Sequence, residues 1–351
     1  MKKILITGGA GFIGSHMCLS LLEKKYKIVV IDSFINSNPK SLERVLKICE
    51  LNRLNVKDNL KIITGDLNNK NLIDHIFFTE KKVNEPIEGV IHFAGLKSVN
   101  ESVGNPCFYW QNNLLNLINL LEVMIKFNCK TIVFSSSATI YGRSKKNLFE
   151  ENDPLNPINP YGNTKHAMEI LLRDVYKTDP NDWRIANLRY FNPIGSHPSG
   201  LIGESPIGNP NNIFPLILKV AYGQLSSLKV FGKDWNTKDG TAIRDYIHVM
   251  DLVDAHLCAM IYLLKNKGQI ININLGTGKG VTVLDLINSF QRVNNVKIAY
   301  EFSKRREGDV EKIVASNELA LKILNWYPKK GLEDMCRDGW KWKINNPDGY
   351  T

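Results

Sequence analysis

Tyr161 and Lys165, in the run Tyr161-Gly-Asn-Thr-Lys165, are spaced to move a proton. Four residues apart on a helix, two side chains share a face about one turn from each other, so an ammonium group can sit beside a phenol. A free phenol titrates near pH 10 and is a poor base at neutral pH. A fixed cation lowers that value, and a drop of about three units needs roughly 4 kcal/mol of differential stabilisation. The pair lies downstream of the serine run Ser135-Ser136-Ser137. Tyr-x-x-x-Lys also recurs by chance on ordinary solvated helices, so the spacing alone leaves two readings open. The start of the chain weighs between them.

Residues 2–7, KKILIT, form a short apolar run that ends directly in Gly8-Gly9-Ala10-Gly11-Phe12-Ile13-Gly14. Residues 15–23 follow with Met17, Leu21 and Leu22 at helical spacing. Strand, glycine turn and helix are the context a dinucleotide fingerprint requires. Gly8, Gly11 and Gly14 let the backbone turn sharply and let a pyrophosphate approach the amides of a helix start. A second apolar run, 27–31, ends in Asp32. That carboxylate lies about 20 residues beyond the glycines, where it can accept from adenosine ribose hydroxyls and would repel a 2′-phosphate. No arginine follows it immediately, so the expected cofactor is NAD rather than NADP.

Further apolar runs end in small or polar tails: 60–64 in Gly65-Asp66-Leu67, 89–93 in Ala94-Gly95-Leu96-Lys97, and 131–134 in Ser135-Ser136-Ser137. Ligands of open α/β sheets bind outside the carboxyl ends of the strands, so these tails are placed to line one crevice. Strand and helix patterns alternate through roughly the first 190 residues, which predicts an α/β fold with a Rossmann-type, doubly wound parallel sheet. A chain of 351 residues has room for a smaller carboxyl-terminal substrate-binding domain as well.

Composition excludes other classes. No stretch of 18 uncharged apolar residues suggests a membrane span, and the amino-terminal apolar run is too short for a signal peptide. Six cysteines (18, 49, 107, 129, 258 and 336) are scattered without C-x-x-C or metal-ligand spacing. They suit a reducing cytoplasm and give no hint of a metal. The formal net charge is +10, yet the lysines are dispersed, and the longest basic cluster, Lys304-Arg305-Arg306, is followed by Glu307 and Asp309. No nucleic-acid partner is expected from such a distribution.

Taken together, these residues resemble the extended short-chain dehydrogenase/reductase superfamily and, within it, the UDP-glucose (UDP-galactose) 4-epimerase family. The similarity runs nearly end to end: TGGAGFIG at 7–14, HFAGLKSV at 92–99, FSSSATIYG at 134–142, YGNTK at 161–165, LRYFNPIGSHPSG at 188–200, PNN at 210–212, FGKDW at 231–235, GTAIRDYIHVMDL at 240–252, NLGTGKG at 274–280, RREGD at 305–309 and LNW at 324–326. The segments beyond 188 are the specific ones, because the superfamily varies most there. The resemblance implies that Phe12, Ile13, Asp32, Asn36, Ser37, Asp66, Leu67, Phe93, Ala94, Gly95, Lys97, Asn113, Ser135 and Phe191 surround NAD with the glycines. It implies catalytic roles for Ser137, Tyr161 and Lys165. It places Asn192, Asn212, Phe231, Arg244, Arg306 and Asp309 around the nucleotide sugar, with Lys97, Ser137 and Tyr161 also facing it. Two arginines suit a diphosphate, since each guanidinium offers paired donors to phosphate oxygens.

The activity so implied inverts C4 of a UDP-hexose, converting UDP-glucose and UDP-galactose into one another. Tightly held NAD takes hydride from C4, the 4-keto sugar rotates, and hydride returns to its other face, while Tyr161 moves the 4-hydroxyl proton. In the family a residue at the position of Ile313 borders the sugar pocket, and its branched bulk is expected to restrict the pocket to UDP-glucose and UDP-galactose. A 4,6-dehydratase on the same scaffold would place an Asp-Glu pair after the active-site serine, where this chain has Ala138 and Thr139. A dehydrogenase that releases NADH and a non-catalytic NAD sensor are further alternatives. Expected domains are residues 1–190 for NAD and 191–351 for the UDP-sugar, with part of 240–265 packing back on the first. A cytoplasmic homodimer is expected by resemblance, through helices around 108–127 and 163–177. No role is inferred for the charged segment 38–58.

Overall fold

The computed structural model describes the chain from Met1 to Thr351 apart from residues 144, 145, 147, 209, 211, 307 and 308. The PNN and RREGD motifs therefore each fall partly outside the described residues. Five strands arise where the sequence predicts short apolar runs, β1 (Lys3–Thr7), β2 (Lys27–Asp32), β3 (Leu60–Thr64), β4 (Ile87–His92) and β5 (Thr131–Ser137), and a sixth, β6 (Arg184–Tyr190), follows them. With the strand Gln269–Leu275 they form one sheet, in the order (Gln269–Leu275)–β6–β5–β4–β1–β2–β3. Every pairing in it is parallel. Helices α1 (Phe12–Glu23), α2 (Lys40–Leu51), α3 (Lys70–Lys82), α4 (Val99–Gly104), α5 (Pro106–Lys126) and α6 (Pro160–Thr178) connect the strands.

Both faces of the sheet are covered, which is why its central strands read as unbroken apolar runs. Met17, Leu21, Leu42, Val45, Leu252 and Leu257 pack on one face. Ile73, Phe77, Leu117, Leu120, Met168 and Leu172 pack on the other. Strand order reverses between β1 and β4, so a crevice opens over Thr7 and His92 at their carboxyl ends. There Thr7 Oγ1 and His92 Nδ1 lie 2.8 Å apart, and Thr7 Oγ1 accepts from the Ala94 amide at 3.2 Å.

The seventh strand comes from the carboxyl-terminal half of the chain. Residues 269–275 fall in the expected second domain, yet they pair in register with β6 from Gln269↔Arg184 to Leu275↔Tyr190. The helix Val249–Lys265 leads into this strand and buries Leu252, Leu257 and Met260 in the core that α1 lines. The sheet and the helices that cover it, the first lobe, therefore draw on residues before 190 and on 249–275. The second is built around Phe214, Ile217, Phe290 and Met335, from the helices Ile213–Ala221, Val283–Asn294 and Leu332–Asn345. A three-stranded sheet beside it runs Val281–Thr282, Ile243–Arg244, Lys312–Ile313.

Segment 38–58 contains α2 and ties the two lobes together. Arg44 lies over the rings of Trp342 (5.7 Å) and Tyr350 (5.1 Å) and donates to Leu201 O and Asn346 Oδ1. On α5 and α6, Leu117 and Leu121 are core residues, whereas Phe108, Trp110, Ile118, Ile125 and Ile170 are exposed. Among the described residues no helix is long and apolar enough to cross a membrane, and no group of three or more His, Cys, Asp or Glu could hold a metal ion.

Candidate active site

The glycine turn makes an open cradle. Gly8 takes φ +70°, and a Cβ there would meet Ala94 N at 2.8 Å. A Cβ at Gly14 would sit 2.2 Å from Gly8 O, so this glycine lets α1 press against the turn. At Gly11 the same test finds only Gly8 O, at 3.4 Å, which leaves room above the helix start. No side chain caps α1. Its first amides and the positive end of its dipole thus suit a diphosphate, and the cradle fits the expected NAD.

Asp32, at the end of β2, is buried and accepts three bonds: Ala10 N at 2.8 Å, Phe34 N at 2.9 Å and Ser37 Oγ at 2.7 Å. These leave about one of a carboxylate's four acceptor positions for a ribose hydroxyl. Ser37 is buried against it and Asn36 is exposed beside it. Asp66 bonds its own turn through Asn68 N, with Leu67 buried next to it. Phe93, Ala94 and Gly95 follow β4, and all are partly exposed toward the crevice end of the sheet. Asn113 acts as a strut. Its Oδ1 accepts from Leu96 N at 2.8 Å, and its Nδ2 donates to Leu96 O at 3.2 Å and Thr164 Oγ1 at 3.1 Å. It fixes loop 94–97 to α6 rather than presenting a free amide. Lys97, exposed on that loop, pairs with Glu204 of the second lobe at 3.6 Å.

The proton-handling residues stand at the next two positions along the sheet. Ser137 ends β5, and its hydroxyl oxygen accepts from Thr139 N (3.2 Å) and Thr139 Oγ1 (3.0 Å). Its hydroxyl also lies near the phenol of Tyr161, where it favours the ionised form. Asn159 caps α6 through Gly162 N at 2.8 Å, and this cap fixes where Tyr161 enters the crevice. Lys165, one turn later and buried, donates to Ser135 O at 2.7 Å and to Ser135 Oγ at 3.4 Å. An ammonium has three donors, so one is left over. Burial lowers Lys165 to about 7 against the pull of the Glu169 carboxylate. Burial likewise pushes Tyr161 up to about 12, against the influence of the Ser137 hydroxyl. The drop that the Tyr–Lys spacing predicts for the phenol is therefore not supplied by the protein alone. Lys165 points its charge at β5, 6.0 Å from the centre of the Tyr161 ring.

Behind these residues lies a buried network that the sequence reading does not find. Glu169 accepts from Ser136 Oγ and, on both oxygens, from Arg189 at 3.1 and 2.8 Å. Arg189 also donates to Tyr141 Oη at 2.9 Å, and Tyr141 donates to Asn274 Oδ1 at 2.7 Å. Helical spacing offers one signal for it: Glu169 stands four residues after Lys165 and so shares its face.

The second lobe supplies the opposite wall. Phe191 packs with Ala138, Ile140, Tyr141, Phe149 and Ala315, and Ile313 lies against this cluster. Asn192 continues from it, its amide bonded to Asp245 O at 3.0 Å. Asn212 starts the helix Ile213–Ala221 without its side chain bonding the first turn, and is exposed. Arg306 lies over the Phe231 ring at 4.0 Å. Arg244 donates to Ile243 O and Val310 O, each at 2.9 Å, and faces Asp309 at 3.6 Å. Arg244 and Asp309, expected to hold different parts of a nucleotide sugar, thus meet each other, while Arg306 covers an aromatic face. Arg305, which carries no expected role, stacks on Trp235 at 3.8 Å.

Comparison with known proteins agrees with this geometry. The family model described as GDP-mannose 4,6 dehydratase matches residues 5–339. UDP-glucose 4-epimerase 2 of Arabidopsis thaliana is 47% identical over 350 residues, covering 100% of this chain and 97% of its own length. A crystal structure of UDP-glucose 4-epimerase from Bifidobacterium longum, in complex with NAD+ and UDP, superposes with a TM-score of 0.91 at 41% identity, covering 99% of this chain and 100% of that one. The Stenotrophomonas maltophila enzyme, with bound NAD and formylated UDP-arabinopyranose, gives a TM-score of 0.93 at 39% identity over 99% of each chain. A parallel seven-stranded sheet, a glycine cradle and a Ser137–Tyr161–Lys165 constellation, met by similarity over the whole length, place this chain in the UDP-glucose 4-epimerase family.

Proposed function

We propose that the protein interconverts UDP-glucose and UDP-galactose by reversible oxidation at C4. The observation that carries this reading is the gathering of Ser137, Tyr161 and Lys165 over the end of β5, beside the Phe191–Ile313 cluster, in a chain matching 4-epimerases end to end. Bound in the cradle, NAD would supply the hydride chemistry that flattens C4 and rebuilds it. Tyr161 takes the 4-hydroxyl proton and gives it back, and Ser137 holds that hydroxyl in line. The phenol is too weak an acid on the protein's own groups, so its ionisation depends on the cofactor's positive ring together with Lys165. Asp32 and the α1 amides hold the dinucleotide. Asn192, Asn212, Phe231 and Arg306 hold the uridine diphosphate, and Arg244 joins them by turning from Asp309. A firmly held diphosphate leaves the hexose free to turn over, so anchoring is part of the chemistry.

The dehydratase reading is disfavoured at the active site itself. After Ser137 come Ala138 and Thr139, and Thr139 serves only to orient the serine. No carboxylate stands there to remove water. The same reading makes the enzyme a cytoplasmic homodimer, paired through the exposed apolar residues of α5 and α6 (Phe108, Ile118, Ile170). The test is to mix the purified protein with UDP-galactose, without added NAD, and look for UDP-glucose. Conversion supports the epimerase, net NADH release supports a dehydrogenase, and binding without turnover supports a sensor. Tyr161→Phe should lower turnover by about 10²–10⁴-fold while still binding UDP.

A further inference from the structure

Tyr161 is the second residue of α6, a position whose backbone amide finds no partner inside its own helix. Pro160 ahead of it has no amide proton, and Gly162 after it donates to the Asn159 side chain at 2.8 Å. The Tyr161 amide instead reaches outside the helix and donates to Ser102 Oγ on α4, 3.2 Å away and 59 residues earlier in the chain. Ser102 is fully buried, and its own hydroxyl proton goes to Val99 O at 2.6 Å. A carbonyl only accepts and an amide only donates, so each of these two bonds has a single possible direction. The carbonyl of Tyr161 is held as well, accepting from Thr164 Oγ1 at 2.8 Å.

We infer that Ser102 is a positioning residue for Tyr161: it holds the backbone of the tyrosine from a neighbouring helix and so sets where the phenol stands relative to Ser137 and Lys165. This rests on the reading of Tyr161 as the residue that moves the 4-hydroxyl proton. With only six residues, α4 would be a weak support by itself, and it is braced. Ser98 caps it, the side chain accepting from Glu101 N at 3.3 Å. Tyr109, buried on α5, accepts from Ser98 N at 3.0 Å and donates to Glu101 Oε2 at 2.7 Å. Lys97 stands immediately before Ser98, so the braced unit that carries the end of loop 94–97 also holds Tyr161. The Asn159 cap is local to α6, whereas Ser102 fixes the tyrosine against a different element. Without the Ser102 hydroxyl the Tyr161 amide loses its acceptor, and the first turn of α6 shifts to find another. A misplacement of about 1 Å at a reacting group can cost about 10²-fold in rate.

The experiment compares wild type with Ser102→Ala and Ser102→Thr, using the full chain with its NAD. Two quantities are followed: kcat and KM for UDP-galactose, and the nuclear magnetic resonance signal of Tyr161 in protein isotope-labelled at tyrosine Cζ, identified by its loss in Tyr161→Phe. The second is read without substrate, so a wrong activity and a wrong positioning give different results. Ser102→Ala should lower kcat by about 10–10²-fold and leave KM within about twofold, because the diphosphate is held elsewhere and only the reacting group is displaced. The Tyr161 signal should move or broaden in the same variant. Ser102→Thr keeps the hydroxyl and can still turn it to the carbonyl three residues back, so both quantities should return toward wild type. An unchanged kcat with an unchanged Tyr161 signal in Ser102→Ala would overturn the inference, whatever happens to thermal stability. So would a loss that appears in KM alone. An inactive wild type whose Tyr161 signal still responds to Ser102→Ala would overturn the activity and support the positioning. Ser102→Ala removes one oxygen and adds no atom, so it remains readable if the extra methyl of Ser102→Thr prevents folding.

Discussion

Lys165 lies 2.7 Å from the carbonyl oxygen of Ser135 but 6.0 Å from the centre of the Tyr161 ring. The lysine is therefore anchored to the sheet first and serves the tyrosine at a distance. Its low value, about 7, and the high value of the phenol, about 12, have one cause, the burial of both groups over the end of β5. Such a site is held back in the absence of a further positive charge, and the cradle brings a cationic ring to it only when the dinucleotide is bound.

Gly11 and Gly14 lie in the same turn and should answer the same substitution differently. A methyl at Gly14 meets the Gly8 carbonyl at 2.2 Å, and backbone cannot step aside cheaply. Gly14→Ala should cost about 1–3 kcal/mol or more of stability. A methyl at Gly11 meets only Gly8 O at 3.4 Å. Gly11→Ala should keep its stability within about 0.5 kcal/mol, as surface changes do, yet bind NAD at least about tenfold more weakly. Thermal melts and titration with NAD separate the two. Equal NAD affinity in Gly11→Ala would remove the phosphate from that turn.

Glu169 joins structure to chemistry. It closes a buried, two-pronged pair with Arg189 and also raises Lys165. Glu169→Gln leaves the Arg189 charge without its partner and should cost about 3–5 kcal/mol. It should also move the alkaline limb of kcat to lower pH. Replacing both partners by apolar residues of similar volume should recover most of the stability. The displaced limb should persist in that double variant, because the carboxylate is still missing. A limb that returned with the stability would mean that Glu169 acts on Lys165 only through packing.

Buried histidines set the acid tolerance of the fold. His16 and His92 are fully buried, and burial holds both near 3, below the ordinary 6.5. Below pH 6.5 the unfolded chain therefore binds protons that the folded chain refuses. The sign follows directly: stability is complete above pH 6.5, then falls down to about pH 3. Each such histidine contributes a slope of about 1.4 kcal/mol per pH unit over the middle of that window. Urea denaturation between pH 7 and 4 should show the fall, and His16→Gln should reduce its slope by one histidine's share. An unaltered slope would mean that His16 takes up its proton in the folded state.

Local chemistry was readable from the chain, whereas contacts made at a distance were not. The glycine turn, Asp32 and the Tyr161–Lys165 pair each sit within a few residues of the strand or helix that aims them, so local spacing brings them to notice together. Parallel pairing leaves no such mark, because its partners are joined by long crossovers. The sequence therefore did not show that Gln269–Leu275 completes the sheet beside β6. Arg44 is hidden for the same reason, since its partner Asn346 is 302 residues away. Asn113 makes contacts of the same distant kind, since its hydrogen bonds hold loop 94–97 to α6 across 17 and 51 residues.

Ile313 offers the sharpest test of substrate range. The strand Lys312–Ile313 runs parallel to Ile243–Arg244, with Ile313 opposite Arg244. Ile313 packs against the Phe191–Ala138 cluster, and Ala138 follows Ser137 directly. On the proposed reading a branched side chain there would fill space that an N-acetyl group needs, and a pocket discriminates by about 1–3 kcal/mol for each methylene it admits or refuses. Ile313→Ser removes several carbons from that wall. It should raise kcat/KM for UDP-N-acetylglucosamine by about 10–200-fold relative to UDP-glucose, with a modest loss of stability from the vacated volume. Competition between the two sugars, followed by chromatography of the products, measures the ratio directly. An unchanged ratio would place the wall of the sugar pocket elsewhere, and equal turnover of both sugars by the unaltered protein would show that Ile313 restricts nothing.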